Sequence, residues 1–464
     1  MAALNSIDDT IMALATASGA GAIAVIRISG KEAFVITDKV FKAKGKKTVS
    51  KAESHTIIFG DIVDGNELVD EVLISVFRNP KSFTGEDSIE ISCHGSTFIQ
   101  KRILNLLSRN GCRMAKPGEY TMRAFMNRKM DLSQAEAVAD LIASSSEAAH
   151  KVAMHQMRGG FSSELKVLRE ELIHFASLIE LELDFSEEDV EFADRSQMIE
   201  LINRIISTID RLIGSFELGN VIQEGVQVAI IGEPNAGKST LLNALLNEER
   251  AIVSDIAGTT RDTVEDELVI EGIKYRFIDT AGIRKTDDTI ESLGIERTMK
   301  KAEVADVVMF LFDASSYTLE QLTSEIDELK SRKADLEDRL ILVANKTDKT
   351  TDSIESKFSD LQTISISAKE KTGIDELKLR LTEFVNLSAL KEDQTIVTNT
   401  RHIEALSGAK KSLQEVLTGF DNEMSGDLVA IDIRRSLFHL GEITGEITTD
   451  DLLGNIFGKF CIGK

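Results

Sequence analysis

Gly232-Glu233-Pro234-Asn235-Ala236-Gly237-Lys238-Ser239 fits the pattern GxxxxGK[ST] and lies between an apolar run, Val226 to Ile231, and a helix-forming run over 241–246. Strand, glycine loop and helix in that order make a phosphate-binding loop. The glycines let successive backbone N–H groups turn inward on a polyphosphate, and the helix start adds positive character. Lys238 is placed to meet the β- and γ-phosphates, and the Ser239 hydroxyl to hold Mg²⁺. Asn235, Ala236, Gly237 and Thr240 complete the phosphate-contacting stretch.

Outward from this loop the pattern alternates between strands and helices from about Glu224 to Phe384. Strands are expected over 226–231, 267–270, 275–278, 307–312, 340–344 and 363–366. They suit an open, doubly wound sheet with ligand loops at the strand ends. On either side the apolar period changes. Leu165, Leu168, Leu172, Phe175 and Ile179 recur at steps of three and four, as do Ile202, Ile205, Ile209, Leu212 and Phe216, each run describing one helix face. Helical character returns after Leu387, with Leu406, Leu413, Val416, Leu417 and Phe420 on plausible faces. From Asp9 to about Met122 strand-like runs over 22–28, 55–62, 71–77 and 88–92 alternate with short helices. The expected fold class is α/β plus all-α: a mixed α/β module over 1–122, a helical bundle over 123–222 and 387–464, and a Ras-like, doubly wound P-loop domain over 223–386 inserted into that bundle. The acidic run Glu187, Glu188, Asp189, Glu191 and Asp194 reads as a solvated loop.

Composition narrows the function. A chain of 464 residues exceeds one hydrophobic core and suggests about three domains. A net charge of −23 argues against a broad electrostatic grip on nucleic acid, so any RNA contact is local or shared with a partner. Cys93, Cys112 and Cys461 have neither zinc spacing nor a disulfide framework, which fits a reducing, cytoplasmic compartment. Asp8 and Asp9 stand where a secretory leader is basic, and Arg27 interrupts the first apolar run, so no membrane association is expected.

Further motifs follow the loop in the order a GTPase needs. Asp279-Thr280-Ala281-Gly282 closes a strand, where Asp279 reaches Mg²⁺ through water and the Gly282 amide bonds the γ-phosphate; the Thr260 hydroxyl of Thr259-Thr260 closes over the metal. Asn345-Lys346-Thr347-Asp348 selects the base. Its Asp348 carboxylate accepts from N1–H and the exocyclic amine of guanine, a donor pair adenine lacks. Ser367-Ala368-Lys369 supports the base from the next strand end. GTP binding follows. Hydrolysis needs a group to orient water, and Ile283, standing where small signalling GTPases place Gln, has no such capacity. Glu291 supplies a carboxylate further along, and an exposed helix-start acid is the competing account of it.

Segments outside the GTPase motifs carry a narrower resemblance. They are Asp9-Thr10-Ile11, Arg27-Ile28-Ser29-Gly30, Ser82-Phe83-Thr84-Gly85-Glu86-Asp87, Cys93-His94-Gly95, Pro117-Gly118-Glu119-Tyr120 and Asn127-Arg128-Lys129-Met130-Asp131-Leu132. With Gln134-Ala135-Glu136-Ala137, Asp255-Ile256-Ala257-Gly258-Thr259-Thr260-Arg261-Asp262 and the closing Cys461-Ile462-Gly463-Lys464, the chain resembles the MnmE (TrmE) family of tRNA-modification GTPases over nearly its whole length. The resemblance implies an N-terminal module that dimerises and binds a 5-formyltetrahydrofolate or related tetrahydrofolate through positions matching Arg27, Glu90, Lys129 and Lys464. It implies a K⁺ ion at the GTPase site, held by Asn235, Ser254, Ile256 and Thr259, and Glu291 as the catalytic glutamate. It also implies a FAD-dependent partner of the MnmG type, a homodimer whose GTP-bound domains pair, and modification of tRNA at C5 of the wobble uridine.

Cys461 lies fourth from the end but lacks the usual prenylation context, since Lys464 is not an ordinary acceptor terminus and no polybasic stretch precedes it. The resemblance places it beside the folate site, with nucleophile, acid and packing roles all open. Cys93 and His94 read as structural. Two rivals compete with the modification reading: a regulatory switch GTPase in ribosome assembly, which typically carries a basic RNA-binding domain not found here, and a folate-dependent aminomethyl transferase that would act without GTP.

Overall fold

The computed structural model describes residues 9–45, 48–184, 195–249, 266–278, 305–332, 334–350, 354–358, 361–384, 395–422 and 424–463. The chain divides into two compact units, the first made of Met1–Ile142, Met154–Ile209 and Glu404–Lys464, the second of Ala143–Ala153 and Asp210–Ile403. The acidic run from Glu187 to Asp194 lies outside the described residues.

The first unit holds a seven-stranded sheet in the order β3-β4-β5-β6-β2-β1-β7. Its strands are β1 (Ile11–Leu14), β2 (Ile23–Ser29), β3 (Phe41–Ala43), β4 (Thr56–Asp64), β5 (Glu67–Phe77), β6 (Ser88–His94) and β7 (Arg113–Met114). All neighbours are antiparallel except β1 and β7. Alternation decides the faces. In β5, Val72, Ile74 and Val76 are buried while Glu71 and Leu73 are exposed, the period of two that a half-covered strand requires. The buried face packs on the helices Ala33–Val40 and Thr97–Arg109 through Phe34, Ile36, Ile103 and Leu107. The opposite face is left for Arg27 and Glu90.

A buried ionic network fixes the turn after this sheet. Glu119, 2% exposed, accepts from Arg113 at 2.7 Å, from Arg123 at 3.0 Å and from the Lys116 N–H at 2.8 Å. Arg123 also reaches Glu86 at 3.2 Å, and Glu86 in turn accepts from the Ser29 hydroxyl at 2.8 Å. Buried charges persist only with such partners.

Long helices complete the unit. Gly160–Asp184 and Gly426–Thr444 pack on each other, and Arg434 reaches Glu180 at 3.0 Å across them. The expected face of the first helix is present with one change: Ala176 is buried where Phe175 was expected, and Phe175 sits half-buried beside it. Asp450–Phe457, capped by Thr449 accepting from the Leu452 N–H at 3.3 Å, packs Leu453 and Phe457 against Leu132 and Ala135.

The second unit is built on a six-stranded sheet ordered β13-β12-β11-β8-β10-β9, comprising β8 (Val226–Ile231), β9 (Asp266–Ile270), β10 (Ile273–Phe277), β11 (Val307–Asp313), β12 (Leu340–Asn345) and β13 (Thr363–Ser365). Only the pair β9 and β10 is antiparallel. Val226, Val228 and Ile230 of β8 enter one core cluster while Ala229 and Ile231 enter the other. Burial on both faces explains the unbroken apolar run of a parallel strand.

Candidate functional site

The phosphate loop joins β8 to the helix Lys238–Glu249. Gly237 has φ +102, and a Cβ there would lie 2.2 Å from Nδ2 of Asn345, so a side chain is excluded on conformational and steric grounds. Asn235 is exposed with φ +65, a left-handed backbone that Asn tolerates. The Lys238 ammonium donates to the carbonyls of Gly232 at 2.5 Å and Glu233 at 3.2 Å, carrying positive charge across the loop. Ser239 is half-buried and Thr240 exposed at the start of the helix. Backbone donors, a cation and a hydroxyl thus converge where a Mg²⁺-bound triphosphate needs them.

Asn345 ends β12 and is 2% exposed. Its Nδ2 donates to the Ala236 carbonyl at 2.8 Å and its Oδ1 accepts from the Ala368 N–H at 3.0 Å. It therefore ties the phosphate loop to the base loop. Lys346, at φ +64, donates to Asp313 at 2.7 Å. Asp348 is exposed, and its Oδ1 accepts from the Ser367 hydroxyl at 2.6 Å; that bond holds its carboxyl below the usual aspartate range. Ser367 is fixed in turn by reciprocal backbone bonds with Thr372 at 3.0 and 3.2 Å. Lys369 is exposed and paired with Glu370 at 3.0 Å, which raises its pKa. The sequence names Asn345 but not its bond to the phosphate loop, and it does not single out Asp313. Only the place of Asp313 at the end of an apolar strand hinted at its role.

Several expected residues lie outside the described residues: Ser254, Asp255, Ile256, Ala257, Gly258, Thr259 and Thr260, then Asp279, Thr280, Ala281, Gly282, Ile283 and Glu291, and finally Lys464.

In the first unit Arg27 and Glu90 are direct cross-strand neighbours of β2 and β6. The guanidinium donates to Glu90 Oε1 from two nitrogens at 2.8 and 3.0 Å. It also lies 5.7 Å from the ring centroids of both Phe83 and Tyr120, and the buried Tyr120 hydroxyl donates to the Arg27 carbonyl at 2.8 Å. Neither aromatic was singled out from sequence. The exposed Lys129 donates to the Pro80 carbonyl at 3.0 Å, holding the other end of the loop that brings Phe83 over Arg27. Cys461 is exposed, and its carbonyl accepts from the Gly118 N–H at 3.4 Å. A Cβ on Gly463 would meet the Leu14 carbonyl at 2.3 Å, so the tail lies close against the end of β1. Cys93 and His94 face opposite sides of β6. The Cys93 thiol is buried, pushed up to about 11, and donates to the Ala24 carbonyl at 3.5 Å, whereas His94 is exposed on Asp70 at 2.7 Å.

Both halves have counterparts among known proteins. The family model described as "GTP-binding protein TrmE N-terminus" matches residues 10–129, and that described as "MnmE helical domain" matches residues 132–461. Proteins named tRNA modification GTPase MnmE from Flavobacterium psychrophilum and Cytophaga hutchinsonii are each 58% identical to this chain, covering 98% of it and 99% and 98% of their own length. One from Bacteroides fragilis is 55% identical over 98% of the chain and 99% of its own. The chain belongs to the MnmE family of tRNA-modification GTPases. Among solved structures, the G domain of the T. maritima FeoB iron transporter aligns with 35% of this chain and 99% of its own, at 26% identity and a TM-score of 0.25. No helix among the described residues is long and apolar enough to cross a membrane.

Proposed function

We propose that this chain is a potassium-dependent GTPase that acts in the cytoplasm as a homodimer. With a FAD-dependent partner of the MnmG type, it adds an aminomethyl or carboxymethylaminomethyl group to C5 of the wobble uridine of certain tRNAs. The observation that carries the reading is the Arg27–Glu90 pair with the rings of Phe83 and Tyr120 beside Arg27, on a chain whose Asp348 carboxylate is also held by Ser367. A pure switch has no use for the first of these.

The chemistry of that pair fits a reduced folate. A pterin presents an N–H edge that a carboxylate accepts, a flat ring that aromatic neighbours favour, and an anionic tail for which Lys129 and Lys464 are suited. Bound there, the folate supplies the one-carbon unit, and Cys461 on the tail packed against β1 belongs to the same module. In the GTPase unit the exposed Asn235 offers a side-chain oxygen to K⁺, with Ser254, Ile256 and Thr259 completing the ligands. The ion supplies positive charge that an arginine finger supplies elsewhere. Glu291 orients the attacking water in place of the missing Gln.

The test is to delete the gene, digest bulk tRNA and examine the wobble uridines by mass spectrometry. Loss of the C5 substituent is expected. Unchanged nucleosides together with accumulating ribosome precursors would instead favour the regulatory switch in ribosome assembly. In vitro, turnover drops sharply when sodium replaces potassium, and Glu291→Ala abolishes hydrolysis while GTP binding persists.

A further inference from the structure

The outer face of the Thr97–Arg109 helix carries side chains that neither the nucleotide nor the folate reading uses. Ile103, Leu106 and Leu107 enter the core, which leaves Phe98, Lys101, Arg102, Asn105 and Arg109 along the other side. Together with Asp64 and Ser108 they line a groove of about 570 Å³. In a chain of net charge −23 this is a local reversal of sign. Arg102 pairs with Glu67, Arg109 with Asp64 at 2.7 Å, and Lys101 pairs with no carboxylate among the described residues.

Both carboxylate partners reach solvent, Glu67 at 63% and Asp64 at 32% exposure. Such pairs hold weakly, and a phosphate takes the place of a carboxylate on a guanidinium at little cost. From Lys101 to Arg109 the helix advances about 12 Å, and three cations, Lys101, Arg102 and Arg109, lie along that span. The row offers one cation to each of about three phosphates of a strand laid along the helix. Asn105 and Ser108 add neutral donors of the kind that contact sugar and phosphate. Phe98, 67% exposed, sets a bare aromatic ring beside the cations, and a cationic track with a stacking platform is how unpaired nucleic acid is held. A protein partner fits less well, since Phe98 is the sole apolar residue lining the groove and protein interfaces centre on an apolar cluster.

We infer that this groove binds the backbone of an unpaired RNA segment, with Phe98 stacking on one base. The inference rests on the reading of tRNA as substrate and names the surface through which this acidic chain touches it. The experiment measures binding of a labelled tRNA transcript and a single-stranded RNA oligonucleotide to the full-length protein by fluorescence anisotropy across a salt series. The double variant Lys101→Ala/Arg109→Ala lowers affinity about tenfold at low salt and flattens the slope of log K against log salt by about one to two. Phe98→Ala weakens binding by about tenfold and leaves the slope alone. GTP hydrolysis and the melting profile stay unchanged in both variants, which separates lost contact from lost fold.

Unchanged RNA affinity and slope in the double variant overturn the inference, as does a wild-type protein that binds neither RNA. A variant that keeps RNA but loses the FAD-dependent partner in co-purification assigns the face to a protein and overturns it too. The parent reading fails separately: RNA binding that depends on these residues, with wobble uridines unchanged on gene deletion, leaves the groove standing and removes its assigned reaction.

Discussion

Asn345 donates its side-chain N–H to the carbonyl of Ala236 at 2.8 Å, 109 positions earlier in the chain. The same amide accepts from Ala368. One buried side chain thus sets the spacing between the glycine loop at Ala236 and the loop at Ala368. Asn345→Ala leaves a buried carbonyl and a buried N–H without partners, at a cost of about 1–3 kcal/mol each. The expected result is a GTP affinity lower by about tenfold or more, read with a fluorescent nucleotide, and earlier melting of the GTPase unit. Wild-type affinity in this variant would show that the tether is dispensable.

The proposed guanine selection by Asp348 has a direct test. The Ser367 hydroxyl lowers its pKa and keeps it an ionised acceptor through the neutral range. Asp348→Asn turns an N–H donor toward the guanine donors, so GTP affinity falls about a hundredfold or more. A xanthine nucleotide, with an acceptor oxygen at that edge, recovers binding. Competition between the two nucleotides in one assay measures the swap, and undiminished GTP preference would sink the assignment.

Much of this arrangement is legible in the sequence, and the reasons for the exceptions are physical. Strands β8 and β11 are apolar on both sides, so their runs are long and unmistakable, and the phosphate loop is marked by spacing alone. Strands β1, β3 and β7 are four, three and two residues long, too short to display a period. The folate-type residues Arg27 and Glu90 were named from resemblance, yet the rings beside Arg27 come from a loop and from a helix, Phe83 and Tyr120. No local pattern connects those positions. The cationic helix face is hidden for a different reason, because the acidic excess of the whole chain masks it.

Acid sensitivity of the first unit rests on Glu119. Burial alone would raise its pKa, but hydrogen bonds from Arg113, the Lys116 N–H and Arg123 outweigh that and hold it below the usual carboxylate range. A depressed folded value means that the stabilisation is fully present above the unfolded value of about 4.3 and is lost as pH falls through the lower folded value. Hydrogen exchange of the N-terminal sheet should therefore accelerate on acidification through that window. Glu119→Gln destabilises the sheet by about 3–5 kcal/mol at neutral pH and flattens the acid dependence. Retention of the wild-type acid profile by this variant would place the sensitivity elsewhere.

For the pair on β2 and β6, Glu90→Gln preserves shape and removes charge. Calorimetric titration with 5-formyltetrahydrofolate is expected to show affinity lower by about tenfold or more, while GTP hydrolysis is unchanged because the pair belongs to the other unit. An unaltered folate isotherm would remove Glu90 from the site.

The tail packed against β1 has a consequence for biosynthesis. Gly463 settles on Leu14, a residue translated about 450 positions earlier, which at common elongation rates of about 5–20 residues per second is a delay of tens of seconds. During that interval the end of β1 waits for the segment that covers it. The stretch that settles on Leu14 also carries the exposed thiol of Cys461 to the N-terminal module.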